Sequence, residues 1–293
     1  ARAFRLGAAE EEVYDATKID PWFLRNLREI IEEEAALREA GPGDPAVLRR
    51  AKEFGFSDHQ LGSLWGLDPM DVRRLRTVAG ADVAYETRRR HRHGRDDDEP
   101  VARFVAAVVV MRLPSLEIVE TAVAAAETSF PYIPGLLSFR EGPALERAFE
   151  QLAVRPDATL FDGQGVAHPR GLGLASHIGL LLDATTVGCA KSRLYGITRG
   201  EPGPCRGNRR ALLAPADPGA VFAPGQRIGT VLRTRDGVKP VWVSVGHRID
   251  LDAAVRLVLL TTRGCRLCEP IRAAHRLVND ALRRTVHDDP RID

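Results

Sequence analysis

What the chain lacks narrows it first. No apolar run approaches the ~18 to 20 residues that would span a bilayer, and Ala1 to Glu10 carries no signal-peptide core. A cytoplasmic protein with no membrane partner is therefore the expectation. Only four cysteines, Cys189, Cys205, Cys265 and Cys268, occur in 293 residues, too few and too clustered for a disulfide scaffold. Cys265 and Cys268 form one CxxC with no second pair, whereas a structural zinc site takes four ligands. A dominant charge is also missing, since the formal net charge is +2. That balance hides an asymmetry: residues 1 to 78 hold 12 Lys+Arg and 15 Asp+Glu, and the remainder 30 and 25. An excess of Arg in the larger part suits a polyanionic partner without requiring one. What is present is an ordinary globular composition, 44% hydrophobic and 28% charged, in a chain long enough for two domains.

Residues 1 to 78 read as helical throughout. Asp20 before Pro21 is an N-cap with proline at the first helical position, and Leu24, Leu27, Ile30 and Ile31 mark one apolar face. Gly41-Pro42-Gly43 ends that helix. A second runs from Pro45 to Phe54 and stops at Gly55, Ser57 caps a third carrying Leu61, Leu64 and Trp65, and Asp68-Pro69 starts another through Leu75. The segments Thr17 to Leu24, Ala51 to Asp58 and Val72 to Arg76 resemble the oligomerisation domain of the carbamoyl-phosphate synthase large subunit. That resemblance implies a packing or assembly module, with self-association as its use and no chemistry of its own.

The character changes at Ala79. Ala79 to Tyr85, Phe104 to Val110 and Leu116 to Ala124 read as three strands of an antiparallel meander, and later strands separated by helices make the sheet mixed. The run Arg88 to Glu99, with His91, His93 and Asp96 to Asp98, reads as a solvated hairpin loop rather than a metal site. Phe130 to Gly135 is irregular because its two prolines supply no ladder donors. Glu141 falls near the start of a helix from Pro143 to Leu152. Asp162-Gly163-Gln164-Gly165-Val166-Ala167-His168-Pro169-Arg170 follows a short strand. It is either a site or a tight turn in which Asp162 caps the helix from Leu172 to Leu182. Tyr195 to Pro224 reads as loop; Ile228 to Thr234 and Val241 to Val245 read as a strand pair, and Leu251 to Leu260 and Ile271 to Leu282 as helices.

Asp82 inside the first strand, Glu141 near a helix start, Asp162 at the end of a later strand and His247 at another strand end could converge at one edge of the sheet. Three converging carboxylates repel one another unless a hard cation holds them, which suits Mg²⁺ or Mn²⁺ beside a substrate phosphate. Lys191 would neutralise phosphate charge, and His247 would serve proton transfers or hold a water.

Five stretches in order, Ala79 to Tyr85, Pro131 to Glu141, Asp162 to Arg170, Gly188 to Leu194 and Ser244 to Arg248, resemble endonuclease V. The likeness runs from about Ala79 to Leu282. It implies an α/β fold with a ribonuclease H-like mixed sheet flanked by helices, preceded here by the small all-α module. The expected domains are residues 1–78 and 79–293. The resemblance implies a Mg²⁺-dependent endonuclease, with Mn²⁺ substituting, that recognises deaminated bases, chiefly inosine, and cuts the second phosphodiester 3′ to the lesion. Carried over by position, Asp82, Glu141 and Asp162 are the metal-binding acids, and Lys191 and His247 the catalytic lysine and histidine. Pro131, Tyr132, Ile133 and Pro134 are the wedge that holds strands apart. Gly135, Leu137, Gly163, Gly165 and His168 are the substrate-binding set, with the glycines leaving room for a flipped base. The partner is DNA, although some members prefer RNA. Two alternatives stand beside this reading: an inosine-specific endoribonuclease, and a catalytically impaired lesion-binding fusion that self-assembles. Two departures accompany the likeness. The helical module, ending in the helix from Pro69 to Arg76, stands where the family has a leading helix, and Cys268 stands where it has proline.

Overall fold

Asp20 accepts a hydrogen bond from the Trp22 amide at 2.8 Å and so starts a long helix at Pro21. The computed structural model describes residues 1–42, 45–68, 76–88, 101–131, 133, 135–217 and 221–287. Two compact units result, Ala1–Arg76 and Thr77–Asp293. The first holds helices α1 (Arg2–Arg5), α2 (Glu10–Thr17), α3 (Pro21–Ala40), α4 (Pro45–Glu53) and α5 (Asp58–Trp65), and the last three enclose a small core of Leu37, Leu48, Ala51, Phe56 and Leu61. Ser57 and Gln60 form a capping box at the start of α5. The Trp65 indole N–H donates to the Leu37 carbonyl at 2.8 Å, tying α5 to α3. The expected apolar face of α3 is only partly inward: Leu24 is buried, but Ile30 is exposed, and Glu33 and Leu37 take the inner positions. The helix expected from Pro69 lies outside the described residues, as does most of the charged loop from Arg88 to Glu99.

Among the described residues of the second unit, eight strands form one mixed sheet in the order β3-β2-β1-β4-β5-β8-β7-β6. Strands β1 (Thr77–Arg88), β2 (Val101–Arg112) and β3 (Glu117–Thr128) are the expected antiparallel meander, each longer than its apolar run suggests. Strand β4 (Ala158–Phe161) adds parallel to β1, and β5 (Thr186–Ala190) parallel to β4. Strands β8 (Val241–His247), β7 (Arg227–Leu232) and β6 (Arg209–Leu213) then continue antiparallel.

Alternation along the central strands divides the core between the two faces. Val78 and Leu160 pack in one cluster with Val255 of α8 (Leu251–Thr261) and Ile271 of α9 (Glu269–His287). Their neighbours Ala79 and Phe161 pack on the other face with Leu145 of α6 (Leu137–Glu150) and Ile178 of α7 (Leu174–Leu181). This is the expected mixed sheet flanked by helices. Among the described residues no helix is long and apolar enough to cross a membrane.

Three elements differ from expectation. Strand β6 lies within the stretch read as loop; Arg209, Arg210 and Ala211 on this edge strand are exposed, so it shows no alternation. Helix α6 begins at Leu137, six residues before Pro143, so Glu141 sits inside it rather than ahead of it. Helix α7 is capped by Gly173, not Asp162, which leaves residues 162–173 as a loop.

Candidate active site

Gly80 decides how one side of the site is assembled. A β-carbon there would lie 2.0 Å from the backbone carbon of Pro270, so only glycine lets the start of α9 lie against β1. Asp82, two residues on, projects from the same face of the strand. It meets His275, one and a half turns along α9 from Pro270: His275 Nδ1 is 2.6 Å from Asp82 Oδ2. The Val83 amide donates to Asp82 Oδ1 at 2.9 Å, so both carboxylate oxygens are held.

Asp162 comes from the neighbouring strand. Phe161 pairs with Ala81 in β1 and Gly188 in β5, and Asp162 emerges just past that row. Its Oδ2 lies 2.5 Å from the ammonium of Lys191, the residue after β5. Two arginine and glutamine contacts anchor the Lys191 segment: Arg266 donates to the Lys191 carbonyl, and Gln164 Nε2 donates to the Ser192 carbonyl at 2.9 Å.

Glu141 reaches the same place from α6. Asp82, Glu141 and Asp162 line one cavity of about 260 Å³, together with Gly135, Leu137, Gly163 and His168. Burial raises the Glu141 carboxyl to about 8, with the charges of Asp82 and Asp162 pushing the same way and Arg140 opposing. Asp82 is raised too, chiefly by burial and also by Asp162, against the hydrogen bond from His275. The acids therefore feel one another. Hard carboxylate oxygens are the donor set that Mg²⁺ or Mn²⁺ takes. Among the described residues, however, no three His, Cys, Asp or Glu side chains stand close enough to enclose an ion. Lys191 and His275 occupy one oxygen each of Asp162 and Asp82, so the donors fit a hard cation in kind without forming a closed shell.

His247 does not join them. It pairs with Thr186 at the start of β5, five residues from Lys191 and so about 16 Å along the strand. Its Nε2 lies 3.6 Å from Asp183 Oδ1, on an acid that is 62% exposed. Antiparallel pairing of β8 with β5 puts the end of β8 at the far edge from the carboxylates, which corrects the expected convergence. The histidine beside the acids is His275. Its position in the middle of an amphipathic helix gave no local sign of a site.

The substrate-binding residues divide as well. Gly135 has a φ of +80°, which favours glycine, and its missing side chain faces the His168 ring. His168 is 5% exposed; its Nδ1 accepts from the Arg170 amide at 3.1 Å, and burial with the nearby Arg170 holds its pKa below the ordinary value. A neutral ring with Nδ1 accepting carries its proton on Nε2, turned toward Gly135. Gly163 has only ordinary contact with Leu174 where a β-carbon would stand. Gly165 does not line the cavity. A β-carbon there would lie 1.9 Å from the Val245 carbonyl oxygen, so close packing on β8, rather than room for a ligand, demands that glycine. Its amide also donates to Ser244 Oγ at 2.9 Å. Pro131 and Ile133 are exposed near the cavity residues Gly135 and Leu137; Tyr132 and Pro134 lie outside the described residues. Cys268 is fully buried at the start of α9, packed in the same cluster as Cys189.

Comparison with known proteins decides the family. The endonuclease V family model matches residues 63–276. The chain belongs to the endonuclease V family. An endonuclease V of Gloeobacter violaceus is 45% identical over 212 residues, covering 72% of this chain and 77% of that protein. The crystal structure of endonuclease V from Streptomyces avermitilis superposes with a TM-score of 0.61 at 42% identity, covering 72% of this chain and 82% of that one. A variant of Ciona intestinalis endonuclease V, crystallised with a 23mer DNA containing an inosine followed by a ribo-adenosine, is similar at 25% identity and a TM-score of 0.56, covering 72% and 86%. Residues 1–80 match the model of the carbamoyl-phosphate synthetase large chain oligomerisation domain. Membership of the endonuclease V family makes the chain a nuclease of a generally metal-dependent kind.

Proposed function

We propose that the chain is a Mg²⁺-dependent endonuclease that takes a deaminated base, chiefly inosine, from DNA into the 260 Å³ cavity and hydrolyses the second phosphodiester bond on its 3′ side. The reading rests on Asp82, Glu141 and Asp162 standing together on the wall of one cavity, beside Gly135, Gly163 and His168. An endonuclease V with 25% identity to this chain is crystallised on inosine-containing DNA, which supports the choice of lesion. A base must leave the stack to be read on its edge, and a cavity lined by the acids gives it a place to go.

In this reading Asp82, Glu141 and Asp162 would hold the ion, which would supply polarisation of a phosphoryl oxygen and a water of lowered pKa. The protein's own residues supply the rest. His275 and the Val83 amide hold the Asp82 carboxylate in one orientation. Lys191, paired here with Asp162, would lend its charge to the scissile phosphate. His168 offers an Nε2–H donor to a carbonyl on the base, and Gly135, Gly163 and Leu137 give the ring a close-fitting wall. Pro131 to Pro134 wedge the strands apart. Gly165 serves by keeping the Asp162 loop tight on β8, and His247 takes no part.

The test is cleavage of an inosine-bearing duplex, with an undamaged duplex and an inosine-bearing RNA in parallel. Nicking of the inosine DNA in Mg²⁺ and none in EDTA is expected. Equal cutting of undamaged DNA removes the specificity, and cutting of RNA alone replaces DNA as the partner.

For residues 1–76 we propose an assembly module. Trp22 and Phe23, packed edge to face at 4.9 Å, are 57% and 61% exposed on α3. Sedimentation of the full chain against Trp22→Ser/Phe23→Ser checks it: self-association that the double variant loses is expected, with cleavage unchanged.

A further inference from the structure

Asn279 stands one helical turn after His275 on the same face of α9. Its Nδ2 lies 2.6 Å from the His275 carbonyl oxygen and 3.3 Å from His275 Nε2. A backbone carbonyl only accepts, so the group facing it is the amide NH₂ and not the amide oxygen. The second hydrogen of that NH₂ is then directed at Nε2, which must present its lone pair. An imidazolium, or the tautomer with hydrogen on Nε2, would set two donors against each other. The ring hydrogen accordingly resides on Nδ1, 2.6 Å from Asp82 Oδ2, where it donates to the carboxylate.

We propose that Asn279 is a positioning residue of the nuclease site: its amide fixes His275 in the Nδ1–H tautomer, and His275 in turn holds the cavity-lining carboxylate of Asp82. The chain of donors runs one way, from the Asn279 amide to imidazole Nε2 and from imidazole Nδ1–H to Asp82 Oδ2. With the Val83 amide on Oδ1, each oxygen of Asp82 has one fixed donor, and the remaining lone pairs are free for a cation. The Asn279 side chain need not touch substrate. Its effect passes through the ring, as with other outer partners of ligand-orienting histidines. The catalytic consequence rests on the nuclease reading above; the tautomer does not.

The experiment uses the full chain and reads the two imidazole nitrogens of His275 by ¹⁵N NMR, assigned by their loss in His275→Gln, beside kcat and KM on an inosine-bearing duplex. The wild-type ring is expected to be protonated on Nδ1 and unprotonated on Nε2. Asn279→Asp keeps the shape and removes the donor. It is expected to bring a hydrogen onto Nε2 as well, since Asp82 still takes the one on Nδ1, and to lower kcat about 10-fold with KM unchanged. Asn279→Ala, with neither donor nor acceptor facing Nε2, is expected to carry that second hydrogen in part and to fall between. A wild-type ring carrying its hydrogen on Nε2, or an Asn279→Asp protein with wild-type tautomer and kcat, overturns the proposal. If the wild type cuts no inosine substrate, the nuclease reading fails, and the nitrogen signals alone still decide the role of Asn279.

Discussion

The two ends of β5 each carry an acid beside a base, and the two pairs differ in their surroundings. At one end Lys191 meets Asp162, whose side chain is 13% exposed. At the other His247 and Arg248 meet Asp183, which is 62% exposed. Asp183 stands in solvent with its partners. Asp162 shares a cavity with Glu141 and Asp82, and Glu141 is driven to about 8 by burial and by its acidic neighbours. An exposed ion pair is worth little and signals little. Acids that raise each other's pKa in a cleft are a sign of function.

The largest effect expected from breaking this contrast is at the acids. Asp162→Asn should lower inosine-directed cleavage by about 10³-fold, the several kcal/mol that a metal ligand supplies. Asp183→Asn, at the opposite end, should leave kcat within about 2-fold and stability within ~0.5 kcal/mol. A gel-based nicking assay with a melting curve reads both. Next come the two histidines: His275→Ala should cost 10- to 100-fold, about that seen for partners that orient metal ligands, while His247→Ala should cost almost nothing. A large loss at His247 would contradict the geometry directly.

A smaller effect sharpens the contrast through pH. Glu141 has its folded-state pKa raised from 4.5 to about 8. Between those values the folded chain holds a proton that the unfolded chain has lost, so stability falls as pH rises across that window. The metal-free protein should therefore melt at progressively lower temperature from pH 5 to pH 8. Glu141→Gln should flatten the slope, and Mg²⁺ should restore stability at the upper end, where the ionised acid is the ligand. No change in slope for Glu141→Gln would show that the carboxyl is not buried as described.

Much of this arrangement is legible in the chain itself. The meander shows because β1, β2 and β3 each carry an apolar run set apart by polar sequence, and the Asp20 and Ser57 caps are local chemistry. Asp82, Glu141 and Asp162 are marked by their motifs, and the cavity gathers them. What was hidden is nonlocal. Strand β6 is an exposed edge without alternation. Helix α6 starts ahead of Pro143, where a proline in an interior turn argues for a later start. His247 drew attention because it ends a strand, but which end of the sheet that strand occupies depends on pairing with β5. His275 is 193 residues from Asp82, and the two meet only because Gly80 lets the start of α9 lie against β1. Gly165 looks like room for a ligand until the Val245 carbonyl is seen against it.

We propose that the acids at the Lys191 end of β5 form one metal-dependent site that acts on inosine. Cleavage of a duplex with a single inosine, by the wild type and by Asp162→Asn, each in Mg²⁺ and in EDTA, decides it. Strand scission by the wild type in Mg²⁺ alone, at the second phosphodiester 3′ to the inosine, is the result predicted. Scission that survives EDTA, or that Asp162→Asn retains in full, would contradict it.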